Sequence, residues 1–159
     1  MTGKKILLVG QAPSRNGGYG EKALDAGIPS SASGRLLKLF DMSREEYLDR
    51  FKRLNLLDYW PGALKSGRGD KFPILEGRKS AQRIQKQISE YHILCIGKRV
   101  GKCFNMDDCF KWEEYIHCYP FTRNRVAMIP HTSGLNRFYN DPDNIQRTKT
   151  FLQELISDA

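Results

Sequence analysis

The residues with the most chemical potential stand in two short loops at opposite ends of the chain. The first, GQAPSRNGG, begins at Gly10 and follows the apolar run ILLV; the second, PHTSGLNR, spans residues 130–137 and follows RVAMI. The first loop is poor in side chains, so its amides suit an anion or a flat group approaching the main chain. It has neither the GxxxxGK[ST] of a nucleotide-phosphate loop nor the GxGxxG of a dinucleotide site. In the second loop His131 directly follows the apolar run, among small residues. A lone histidine more often packs than reacts. Leu135, an apolar residue bracketed by polar ones, is harder to assign to packing. One physical use for it is as a wedge between stacked bases, with Arg137 nearby for phosphate.

Two such loops need a sheet to bring them together. Residues 4–9 and 92–97 (HILCIG) are short β-rich apolar runs closed by glycine and read as buried strands. Residues 52–57, 114–119 and 125–130 are further strand candidates. A helix is expected over 33–41, with Ser33 as its cap and Leu36, Leu37 and Phe40 inward. SREE at 43–46 is a capping box that opens a second helix through about Phe51. Residues 61–79, rich in glycine, proline and basic side chains, read as a loop, followed by a helix over 80–91 and a short one in KRVGKCF. Asp141-Pro142 starts a last helix, with Ile145, Thr148, Leu152, Leu155 and Ile156 lining its buried face. Strands alternating with helices imply an α/β domain with a mainly parallel sheet covered on both sides. In such sheets ligands lie beyond the carboxyl ends of the strands, so both loops are expected at one crevice.

The chain has 159 residues, a length suited to a single domain over 1–159. Its 26 Lys and Arg against 18 Asp and Glu give a formal net charge of +8, which favours a polyanionic partner, nucleic acid first. No apolar run approaches the ~20 residues of a membrane span. MTGKKILLVG is too short for a signal peptide and lacks a cleavage site, so a cytoplasmic, monomeric protein without a membrane partner is expected. Cys95, Cys103, Cys109 and Cys118 form no CxxC pair. They read as free thiols rather than metal ligands, with Cys95 buried in a strand.

Together GQAPS and HTSGL, about 120 residues apart, resemble the two signature motifs of the uracil-DNA glycosylase superfamily in order, spacing and position after the first and last strands. PSSASGRLLKLF, RLNLLDYWPG and ILCIGKRVGKCF resemble further segments of that family, so the similarity spans nearly the whole chain. The resemblance implies a three-layer α/β/α sandwich with a central, mainly parallel sheet, uracil-DNA glycosylase-like. It implies hydrolysis of the N-glycosidic bond to a base flipped out of DNA, without metal or other cofactor in the catalytic step. Carried over residue by residue, Gln11, Ala12 and nearby amides would line the base pocket, and Asn55 would read the Watson–Crick edge of a pyrimidine. His131 would hydrogen-bond the base carbonyl as the departing ring becomes anionic. Leu135 would enter the helix, with Ser133, Gly134 and Arg137 on the DNA. Ser133, and also Ser14, would hold phosphates.

Three departures bear on activity. The family commonly has a carboxylate or Asn at the place of Gln11 or Ala12 to position water; here Glu21 or Asp25 would have to substitute, or hydrolysis would be slow, since general-base effects are typically ~10²–10⁴-fold. The stacking aromatic is absent from residues 21–39, leaving Tyr19, Tyr59 or Trp60. Ser14 stands where uracil-specific enzymes have a bulky Tyr, which implies a pocket open to 5-substituted pyrimidines. With no cysteine before Cys95, the iron–sulfur cluster of one branch of the family is not expected. Two rival readings remain: a catalytically weak binder of DNA or a modified base on the same scaffold, and a Rossmann-like protein processing nucleotides or nucleosides.

Overall fold

Five short runs alternating with helices place the strands in one sheet, described here from a computed structural model covering residues 5–87, 90–118, 121–133 and 136–158. The strands are β1 (Lys5–Gly10), β2 (Phe51–Asn55), β3 (Tyr91–Ile96), β4 (Trp112–Cys118) and β5 (Phe121–Ile129). The helices are α1 (Ala32–Phe40), α2 (Arg44–Arg50), α3 (Ile74–Gln87), α4 (Lys98–Cys103) and α5 (Pro142–Asp158), with 3₁₀ turns at Gly20–Lys22 and Arg137–Asn140. The sheet order is β2-β1-β3-β5-β4, and every pairing is parallel except β4 against β5.

Alternation along each strand divides the core into two layers. Ile6, Leu8, Leu94, Ile96, Ala127 and Ile129 face α1, α2 and α5. Leu7, Val9, Ile93, Cys95, Val126 and Met128 face α3 and α4. A strand apolar on both faces is what helices on both sides of a parallel sheet require. The domain is therefore α/β, with a five-stranded, mostly parallel central sheet flanked by helices.

This order contains a switch point. After β1 the chain passes through α1 and α2 on one face to reach β2. After β3 it passes into α4 on the other face. The connections leaving β1 and β3, which are neighbours in the sheet, thus diverge to opposite sides and leave a crevice between them.

Two expectations are corrected. The cap of α1 is Ser31, whose Oγ accepts from Gly34 N–H at 3.0 Å; the Ser33 hydroxyl instead accepts from Ala26 N–H at 3.1 Å. Residues 74–79 are helical, not loop: α3 begins at Ile74, and Gly77 N–H donates to Pro73 C=O at 3.1 Å. Gly77 belongs inside a helix because that helix packs closely on Phe72 and Cys103, a tertiary reason that local composition does not carry. The capping serine of α2 is as expected, with Ser43 Oγ accepting from Glu46 N–H. On α5, Thr148, Leu152 and Leu155 are buried, joined by Phe151, while Ile145 and Ile156 are partly buried. Cys95 is fully buried and, like Cys103 and Cys109, a free thiol. The side chain of Cys118 lies outside the described residues.

Candidate active site

One wall of the crevice is built from β1 and β2. Their parallel pairing sets Gly10 opposite Asn55. The ladder continues past the strand ends, with Leu56 N–H on Gly10 C=O at 2.9 Å and Leu57 N–H on Gln11 C=O at 3.1 Å. Asn55 leans over β1: a Cβ placed on Gly10 would meet its Oδ1 at 2.5 Å and Leu24 at 3.1 Å. Only glycine leaves that space. The Asn55 amide donates to Gly18 C=O at 3.3 Å, which fixes the plane of the side chain and ties the glycine-rich loop to it. Among the described residues one N–H of the amide and its Oδ1 have no further hydrogen bond, a donor and an acceptor side by side.

The other wall is built from β3 and β5. His131, two residues beyond β5, lies over Gly97 at the end of β3, where an added Cβ would meet its ring at 3.0 Å. Gly97 has φ 102° and ψ 155°, a region open essentially to glycine alone. Nδ1 of His131 accepts the Ser133 N–H at 2.9 Å. An accepting Nδ1 leaves the proton of a neutral imidazole on Nε2. Burial, and then the nearby Arg99 charge, push the imidazole below its ordinary range, so the ring is neutral and a donor at Nε2 near pH 7. Arg99 is itself held by the Asp70 carbonyl at 2.8 Å.

Gly10 and Gly97 stand at the ends of adjacent strands; Val9 pairs with Cys95, so Gly97 lies one residue beyond the position opposite Gly10. Asn55 reaches inward from β2 over the first, and His131 reaches inward from β5 over the second. The switch point thus sets both side chains at the carboxyl end of the sheet, the amide against the end of β1 and the imidazole against the end of β3. Gln11, half-buried and backbone-bonded, begins the loop between them.

The first loop closes on itself through Ser14 N–H to Gly17 C=O at 2.9 Å, and the exposed Ser14 hydroxyl donates to the same carbonyl at 3.2 Å. Ala12 is half-buried behind it. Of the three aromatics, Tyr59 donates its hydroxyl to Glu76 at 2.6 Å, and Trp60 has the Arg15 guanidinium 5.8 Å above its ring. Tyr19 is 48% exposed beside Gly18, the anchor of Asn55. The Asp25 carboxylate accepts from Gly27 N–H at 3.0 Å and lies 3.7 Å from Arg44. Glu21 is exposed in the 3₁₀ turn.

What holds the second loop has no signal in the sequence. Tyr139 donates its hydroxyl to Pro130 C=O at 2.6 Å and Asn136 its amide to His131 C=O at 2.8 Å. Thr132, fully buried, donates to Ala32 C=O at 2.7 Å. These three bonds grip the carbonyl on each side of the imidazole and pin the loop to α1. Asn136 N–H donates to Ser133 C=O at 3.1 Å, joining the residues that flank Gly134 and Leu135. Those two lie outside the described residues. Arg137 is exposed at the start of the second 3₁₀ turn.

No family model matches the chain, and no curated protein matches it significantly. Among the described residues no group of three or more His, Cys, Asp or Glu is placed to hold a metal ion. No helix among them is long and apolar enough to cross a membrane.

Proposed function

We propose that this chain is a monofunctional DNA glycosylase of the uracil-DNA glycosylase superfamily, built on that family's three-layer scaffold, acting on a flipped-out uracil or 5-substituted pyrimidine. The observation that carries the reading is the His131 tautomer: a neutral ring set over Gly97, with Nε2–H unengaged among the described residues. Breaking the bond between C1′ and the pyrimidine nitrogen leaves the electron pair on the base, and the negative charge spreads onto its carbonyl oxygens. An Nε2–H donor fixed before the reaction stabilises that charge without reorganising. Asn55 supports recognition, since its remaining N–H and Oδ1 complement the O4 and N3–H of uracil or a 5-substituted uracil. The hydroxyl of water adds to C1′ and its proton is passed to solvent or the released base. We assign the orientation of that water to Glu21, exposed in the 3₁₀ turn and without an ion pair among the described residues, rather than to the engaged Asp25. The net charge of +8 suits the DNA backbone.

The test is incubation with duplexes containing uracil, a thymine mispair or 5-hydroxymethyluracil, followed by alkaline cleavage at abasic sites. Strand scission at the modified position is expected, including with a 5-substituted base. The engaged Asp25 and the Gln11-Ala12 pair favour one alternative, a binding protein on the same scaffold. It would retard the same duplexes and leave no alkali-labile site.

A further inference from the structure

A second concavity of about 340 Å³ lies between α1, α5 and the loop carrying His131. Its lining includes Arg35, Lys38, Lys149, Ser133 and Asn140, and contains no carboxylate. Arg35 and Lys149 are half-buried. Among the described residues none of the three cations has an acidic partner; the ion pairs found there join Arg44 to Asp25 and Lys111 to Asp108. Basic side chains gathered at one concavity without a counter-charge repel one another and give it a positive potential that favours an anion. Thr132, Asn136 and Tyr139 also line the cavity; the Thr132 and Tyr139 hydroxyls and one amide N–H of Asn136 are committed to backbone carbonyls. The Ser133 hydroxyl and the Asn140 amide make no hydrogen bond within the described residues and remain for a ligand.

We propose that this cavity takes a phosphate group, and that its source is a DNA backbone phosphate near the extruded nucleotide. The chemistry of the site stands on the lining alone, while the backbone source rests on the proposed function. Ser133 links the two sites: it lines this cavity, and its N–H fixes Nδ1 of His131. A phosphate seated on Ser133, Arg35 and Lys149 therefore steadies the imidazole at the moment DNA is bound.

The experiment measures duplex affinity against salt for the wild-type chain and for Arg35→Gln/Lys149→Gln. Each phosphate contact contributes ~0.9 to the slope of log K against log salt. Loss of one contact lowers that slope by about 0.9 and the affinity at 0.1 M salt about eight-fold. Arg35→Lys, which keeps the charge, should retain the wild-type slope, and guards against a general folding defect in the double variant. Inorganic phosphate and pyrophosphate form the second arm, read by thermal stabilisation. An unchanged slope, with pyrophosphate stabilising wild type but not the double variant, overturns the backbone source in favour of a free phosphate compound. An unchanged slope with no such stabilisation overturns the site altogether. If the slope falls as expected while wild type releases no base from any duplex, the phosphate site stands and the glycosylase reading falls.

Discussion

Replacing His131 by alanine isolates the contribution of a single neutral donor. The imidazole carries its proton on Nε2 because Ser133 N–H occupies Nδ1 at 2.9 Å, and burial together with Arg99 disfavours the second proton. Removing one preorganised donor to a developing anion typically costs ~10²–10³ in rate, or about 2.7–4 kcal/mol. The variant should therefore release uracil some 10²–10³ times more slowly under single-turnover conditions, with enzyme in excess over a duplex bearing one uracil. Its DNA affinity should be close to wild type at every salt concentration, because a neutral ring neutralises no phosphate. His131→Gln, which restores an N–H donor at a different reach, should fall between the two. A variant within about threefold of the wild-type rate would refute the donor role. A parallel loss of rate and affinity would show that His131 binds DNA rather than stabilising the leaving group.

Arg99→Gln removes one of the two influences that depress the imidazole, so His131 should protonate at higher pH and the acidic limb of the rate profile should move towards neutrality; Arg99→Lys should leave the limb nearly in place. For the wild type, the unfolded chain takes up this proton more readily than the folded one below about pH 6.5, so His131 makes stability decline as pH falls through that window. Thermal melting as a function of pH reads this directly, and a gain in stability over the same interval would contradict it. Gly97→Ala forces a side chain into a conformation costing ~1–3 kcal/mol and against the imidazole at 3.0 Å, so it should lower both the melting temperature and the rate, the rate loss persisting at temperatures where the variant is fully folded. Leu135→Ala should slow release from duplexes more than from single strands, since only the duplex leaves a gap to fill; equal losses on both would remove the wedge role.

The layered architecture was legible because apolar runs at β1 and β3 end in glycine and alternate with amphipathic helices. The crevice itself followed from strand order, since an α/β chain with loops after its first and last strands has few places to bring them together. What stayed illegible depends on contacts distant in sequence. Nothing local distinguishes Ser31 from Ser33 as a cap until Ala26 claims one of them. Gly77 looks like a loop residue until α4 packs on it. Asn136 and Tyr139 have no motif character, and their importance is visible only once the two carbonyls they hold are those flanking an imidazole. Arg99 likewise lies 32 positions before His131, and only the neighbouring strand ends bring its charge to bear.

Leu24, which rests on Gly10, and nearby Ala26 both have positive φ, 51° and 57°. Their strained turn is clasped from behind by the fully buried Tyr47 of α2, whose hydroxyl reaches Leu24 C=O at 2.7 Å. Tyrosine and phenylalanine fill that interior equally well, so Tyr47→Phe would fold yet slacken one side of the crevice. If the proposed activity holds, it would depend on an oxygen atom set behind the crevice wall, and a screen scoring only fold integrity would pass over it.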